Sequence, residues 1–166
     1  MISDSEGKAS YKFNSLECYV AVPQLGEINI CEIKAIDRYH NMINIEGRLK
    51  KNISQIEVHA KLLKRESGGW HPFFYNVKVD VCKFLKSPRS LFIPKLMYSF
   101  VKAYTNVNHT CPYLEGSVLR LWNWTPSEDG VIAIFPVDYG QYGLHSNVYS
   151  NKVLVMQING SVLFFK

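Results

Sequence analysis

Apolar residues recur at every second position along most of this chain. Ile43, Ile45, Gly47 and Leu49 do so in Met42–Leu49, and Ile56, Val58, Ala60 and Leu62 in the next run, whose other side carries Glu57, His59 and Lys61. Period two with one apolar side predicts half-buried antiparallel strands. Tyr11–Val22 and Ile28–Ile36 read as two earlier strands joined by the turn cluster Pro23-Gln-Leu-Gly26. Glu66-Ser-Gly-Gly69 closes a hairpin whose return strand presents Phe73, Tyr75, Val77, Val79 and Val81. Further strands are expected at Ser117–Trp122, Val131–Phe135, Tyr142–Tyr149 and Val153–Phe165, the last carrying a bulge at Asn159-Gly160.

One segment has a different period. Pro94 suits a first helical turn, and Met97, Phe100, Val101 and Tyr104 follow at i, i+3, i+4 and i+7, opposite Lys95, Ser99 and Lys102. The pattern sums to about eight strands and one helix, at about 94–105. That predicts a mainly β protein, an antiparallel β-sandwich with the helix inserted after the fifth strand. Residues 1–10 read as a non-core segment and 11–166 as a single sandwich domain.

Composition agrees: the 166 residues are 47% hydrophobic and 20% charged, a globular balance. The longest apolar runs, Val131–Phe135 and Val162–Phe165, are far too short for a membrane-spanning helix. Nineteen Lys and Arg against fourteen Asp and Glu leave +5, a mild excess. The basic runs Arg48-Leu-Lys-Lys51 and Lys61-Leu-Leu-Lys-Arg65 interrupt apolar strands at period two and are matched by Glu46, Glu57 and Glu66. They read as a solvated sheet face and not as a nucleic-acid surface.

No enzyme chemistry emerges. The histidines at 40, 59, 71, 109 and 145 never pair at i, i+4, and Cys-X-X-Cys is missing, so no metal or other cofactor is expected. Gly-X-Ser-X-Gly is missing too. Asp80, Cys82 and His109 could suggest a Cys/His/Asp set, but a strand-end acid beside a bridged cysteine explains them better.

Four cysteines, at 18, 31, 82 and 111, fit either two disulfides or four buried thiols. Sequons favour the first. Asn52-Ile-Ser, Asn108-His-Thr, Asn123-Trp-Thr and Asn159-Gly-Ser make four, where the Asn, Ser and Thr content predicts about one by chance. Such an excess suits an extracellular glycoprotein. Asn52, Asn108 and Asn123 are the expected acceptors, since Asn159 sits inside a strand pattern. Met1–Ser10 has no apolar stretch and is not a signal peptide; the expectation is a secreted chain whose leader lies outside this sequence.

Large rings are abundant: Phe73, Tyr75, Tyr98, Phe100, Tyr104, Tyr113, Trp122, Trp124, Phe135, Tyr139 and Tyr142. They fit a packed core or a cavity for an apolar ligand. The stretch Leu62-Leu-Lys-Arg65, Gly69-Trp-His-Pro-Phe-Phe-Tyr-Asn-Val-Lys-Val-Asp80-Val-Cys82-Lys-Phe-Leu85 resembles a large family of secreted insect proteins of unknown function, especially expanded in Drosophila. So do Phe100, Tyr104-Thr-Asn106 and Asn108-His-Thr-Cys111-Pro-Tyr113, and in kind and place Lys12-Phe13, Phe135-Pro136 and Tyr139-Gly-Gln-Tyr142. That family resembles the CheB chemosensory proteins and, more distantly, the ML lipid-recognition sandwich of the ganglioside activator.

The resemblance implies secretion, four bridged cysteines, no enzyme activity and binding of a lipid or cuticular hydrocarbon. The expected function is a secreted binder of a small apolar ligand (lipid, fatty acid or cuticular hydrocarbon), in chemosensation or immunity, with an extracellular receptor as a further partner. Cys18 is expected to pair with Cys31 across the Pro23–Gly26 turn, and Cys82 with Cys111 across the helical insertion. On the loop-closure model each bridge is worth roughly 3 to 4 kcal/mol. The expected pocket lies between Phe73, Tyr75 and Val77 on the strand and Met97, Phe100, Val101 and Tyr104 on the helix. The alternative is an extracellular interaction module with a filled core and no ligand.

Overall fold

A computed structural model describes residues 10–87, 92–125 and 138–165, without the side chains of residues 74, 75, 92 and 93. The strands among them are β1 (Ser10–Val20), β2 (Gly26–Ala35), β3 (Asn41–Leu49), β4 (Glu57–Glu66), β5 (Gly69–Asp80), β6 (Val118–Trp124), β7 (Gly140–Ser150) and β8 (Val153–Phe165). Between β5 and β6 come α1 (Val81–Lys86) and α2 (Phe92–Val101), the latter continued by a 3₁₀ turn at Lys102–Tyr104. The strands form two sheets, ordered β1-β8-β7-β4-β5 and β2-β3-β6, and every pair is antiparallel. The protein is thus mainly β, with its helical insertion after the fifth strand.

Several expectations change in detail. The insertion holds two helices. α1 begins where the Val77, Val79, Val81 alternation suggests continued strand, because the Asp80 carboxylate accepts the Lys83 backbone N–H at 3.1 Å and caps a helix there. α2 starts two residues before Pro94, which still lies in the first turn, where N–H groups have no intrahelical acceptor. The bulge expected at Asn159-Gly160 does not form: Gly160 stays in register opposite Leu16 and Leu144. A Cβ at Gly160 would sit 3.3 Å from the Ser15 carbonyl oxygen, so the glycine serves a close backbone approach. The register shifts instead between Phe13 and Ser15 and between Val148 and Tyr149. Val131–Phe135 lies outside the described residues.

Turn chemistry follows the sequence. Ser67 (φ 51°) and Gly68 (φ 77°) make the left-handed pair that matches hairpin twist, as Asn151 (φ 49°) and Lys152 (φ 66°) do between β7 and β8. Pro72 is tolerated in β5 because that strand is an edge.

β1 is the seam between the sheets. Cys18 on β1 is bonded to Cys31 on β2, with Cα atoms 6.3 Å apart, the pair expected across the turn. Asn41, opening β3, accepts the Phe13 N–H at 2.9 Å and donates to the Phe13 carbonyl at 2.8 Å. The Phe13 and Trp124 rings meet at 5.0 Å. On the opposite side the insertion links β5 to β6. Phe84 of α1 packs edge-on to Tyr98 of α2 at 5.6 Å, and the Trp124 indole N–H donates to the Phe100 carbonyl at 3.0 Å. Cys82–Cys111, Cα atoms 5.3 Å apart, ties α1 to the segment after the 3₁₀ turn.

Candidate functional site: the space between the sheets

Cys18 reaches the small sheet, so the face that carries it is the inner one. Cα partners across a sheet share a face, and the register extends this assignment strand by strand. Cys18, Ile158, Ser146, Ala60 and Val77 form one inner row. Val20, Met156, Val148, Val58 and Val79 form the row to one side, and Leu16, Gly160, Leu144 and Leu62 the row to the other. From the small sheet Cys31, Ile45 and Leu121 share a row, with Ile33 and Ile43 beside them. Both inner faces are therefore aliphatic.

Burial along these rows is incomplete. Among the described residues eight hydrophobic side chains are buried: Tyr11, Phe13, Ile43, Ala60, Phe84, Tyr113, Tyr142 and Phe164. Met156, Ile158, Leu144, Val148, Val58, Leu62, Val77, Ile45 and Leu121 are only half-buried despite facing the other sheet. The well-packed part lies at one end, where Tyr11, Tyr142 and Phe164 cluster with Phe73 and Val162 against them. Tyr11 stacks on Phe164 at 4.5 Å, and Phe73 lies 5.2 Å from Tyr142.

That end also holds a cation on the inner face, Lys64. Lys64 continues the alternation of Val58, Ala60 and Leu62 and sits opposite Tyr142. Its ammonium lies 5.8 Å from the Phe73 ring centroid and 5.7 Å from that of Tyr142, within cation–π range. It pairs with Glu66 at 3.1 Å and Asp138 at 3.8 Å, and the Glu66 hydrogen bond holds its pKa above the ordinary lysine value. The Tyr11 hydroxyl is shut off from solvent without a hydrogen-bond partner. Burial, with Tyr142 beside it, pushes its pKa up to about 12. Burial also raises Tyr142, with Lys64 pulling the other way. Tyr142 donates to the Asp138 carbonyl at 2.7 Å.

Of the residues the sequence assigns to a pocket, Phe73 belongs to this aromatic end, and Val77 lies on the inner face opposite Ala60. Met97, Phe100, Val101 and Tyr104 are half-buried, with Lys95, Ser99 and Lys102 exposed behind them. Their segment is anchored to β6 and α1 by the Trp124 and Phe84 contacts above. The side chain of Tyr75 and residue Phe135 lie outside the described residues. Sequence reading passed over Lys64 by assigning its whole basic run to the solvated face. The signal was present: one more step of period two from Leu62 puts Lys64 inside.

Other candidates dissolve in the geometry. Cys82 is bridged, Asp80 caps α1, and the His109 ring packs on Tyr113 at 4.2 Å. Among the described residues no group of three His, Cys, Asp or Glu could hold a metal, and no helix is long and apolar enough to cross a membrane. Asn52, Asn108 and Asn123 are exposed, while Asn159 is half-buried. Asn159 lines a trough of about 290 Å³ on the outer face of the large sheet, with His59, Lys61, His145, Asn147, Tyr149 and Gln157. Several of these groups are already partnered: His59 with Glu57 at 2.6 Å, and Gln157 donating to Asn147 at 3.0 Å.

The family described as "Protein of unknown function (DUF1091)" matches residues 58–143, just over half the chain, and the chain belongs to it. The match runs from β4 into β7 and so takes in the whole insertion. No curated protein matches significantly. Among solved structures the chain is similar to a Niemann–Pick type C2 protein from the Japanese carpenter ant, at 12% identity over 95% of this chain and 93% of that one, with a TM-score of 0.35. A likeness that low says nothing about a ligand.

Proposed function

We propose that this member of the DUF1091 family is a secreted, non-catalytic binding protein that holds a lipid, fatty acid or hydrocarbon between its two sheets. The observation that carries this reading is the half-burial of the inward aliphatic rows. Sheet faces packed directly on one another stand about 10 Å apart and interdigitate, which buries such residues fully. Here the faces are joined at the β1 seam and by the insertion, and the rows between stay accessible. An acyl chain laid there gains about 0.8 kcal/mol per methylene. Against an association cost of at least about 4 kcal/mol, that favours long chains over short ones.

Phe73 and Val77 on β5 line this space on one side, and Met97, Phe100, Val101 and Tyr104 close it on the other. The fold resembled by the sequence, an ML-type lipid-recognition sandwich, points the same way. The two disulfides and the exposed Asn52, Asn108 and Asn123 suit a secreted glycoprotein.

Uptake of a fluorescent fatty acid tests the reading. The protein should take up the probe, and Val101→Trp should abolish uptake while leaving the thermal midpoint nearly unchanged. If the unaltered protein takes up no probe and carries no lipid, the reading fails, and an extracellular interaction module with a filled core replaces it. Secretion has its own test. Expression behind a heterologous signal peptide should give a product whose mass falls on glycosidase treatment, and an unchanged mass would remove the glycoprotein assignment.

A further inference from the structure

We propose that Lys64, together with the hydroxyl of Tyr11, receives the carboxylate of a fatty acid whose chain runs along the inner face of the large sheet. This rests on the reading of the inter-sheet space as a ligand site and names the ligand's class, an acid and not a hydrocarbon or an ester.

Position comes first. Lys64 follows Val58, Ala60 and Leu62 on one inner line, so its ammonium stands at the end of an aliphatic track. Six residues of strand span about 20 Å, the reach of a long acyl chain. The lysine side chain is 18% exposed, whereas its resident partners Glu66 and Asp138 are 55% and 93% exposed. Pairs with such exposed carboxylates contribute little, and a ligand carboxylate that displaces one of them releases it to water. One cation flanked by two acids suits a singly charged head group better than a phosphate.

The second observation is independent of charge. The Tyr11 residue is 6% exposed, and its hydroxyl has no hydrogen-bond partner. Buried hydroxyls are nearly always satisfied, so an orphan asks for an explanation. A carboxylate seated in this cluster accepts the hydrogen bond that the Tyr11 hydroxyl gives to nothing else. Burial keeps that hydroxyl protonated, and hence a donor, throughout the physiological range. Phe73 and Tyr142 flank the ammonium within cation–π range, so the head group sits beside two aromatic rings.

Titration with hexadecanoate and with its methyl ester separates the possibilities. The unaltered protein should bind hexadecanoate about tenfold or more tighter than the ester, as expected for hydrogen bonds to a charged group. Lys64→Met should erase that preference by weakening hexadecanoate alone. Tyr11→Phe should weaken hexadecanoate a few-fold without lowering the thermal midpoint, since it removes an unpaired buried polar atom. Lys64→Gln makes the same measurement if Lys64→Met does not fold. Equal affinities in the unaltered protein, or a preference that survives both Lys64 substitutions, overturn the head-group assignment and leave the apolar site standing. If the unaltered protein binds neither compound, both readings fall.

Discussion

On the inner face of the five-stranded sheet, Val58, Ala60, Leu62, Leu144, Ile158 and Met156 make an aliphatic surface that Ser146 and Lys64 interrupt. One residue further along the same strands, the outer face presents His59, Lys61, His145, Asn147, Gln157 and Asn159. Some polar groups outside pair with one another, as in Gln157 to Asn147 and His59 to Glu57. Inside, apolar side chains stay half-covered and the Tyr11 hydroxyl lacks a partner. Side chains that already pair with one another have little to gain from a ligand. The apolar deficit lies on the inner face, and the proposed ligand is placed there for that reason.

A charge placed on each face should break the comparison most sharply. Ala60 is 6% exposed at the centre of the inner face. Ala60→Asp buries an unpaired carboxylate and should destabilise by several kcal/mol or prevent folding. Asn147→Asp, on the outer face, should stay within about 0.5 kcal/mol. Chemical denaturation of both variants gives the contrast, and equal effects would mean that the faces are assigned wrongly.

The next effect concerns the seam. Replacing Cys18 and Cys31 by serine removes a bridge whose cysteines are 13 positions apart and should cost about 3 kcal/mol on the loop-closure model. Fatty-acid uptake should fall with it, because the spacing of the two inner faces depends on β1. Unchanged stability and uptake would show that Asn41 and Phe13 hold the seam alone.

The smallest effect appears at alkaline pH. Tyr11 has a folded pKa near 12 against an ordinary value of 10.0. A raised folded value means that the native state disfavours the tyrosinate. Its contribution is whole below pH 10 and disappears as pH rises from 10 towards 12. Tyr98, Tyr113 and Tyr142 shift the same way through burial. Stability should therefore fall over that window, and Tyr11→Phe should flatten the fall. A curve identical in Tyr11→Phe would place the Tyr11 hydroxyl in water.

Local alternation made much of this fold legible. Ile43, Ile45 and Leu49, or Val58, Ala60 and Leu62, announce both strand and face, and Ser67-Gly68 announces its hairpin. What alternation cannot carry is long-range pairing. Nothing near Tyr11 says that it lies opposite Phe164, or that Asn41 will bond Phe13 across the seam. α1 was hidden for another reason: Val81, Cys82, Phe84 and Leu85 extend an apolar pattern, and only the Asp80 cap marks the change. Lys64 shows that composition can overrule period, since four basic or apolar neighbours in Lys61–Arg65 read together as a surface run. At the candidate site, Phe73 and Val77 were legible as inward residues of β5, whereas Tyr11 needed the fold.

Native mass spectrometry of the protein secreted from eukaryotic cells tests the central claim most directly. Ions of the intact protein should carry, beyond glycan, an adduct of fatty-acid mass that denaturation releases as a free carboxylic acid. Ions that carry glycan alone, from a protein that also takes up no added fatty acid, would contradict the account.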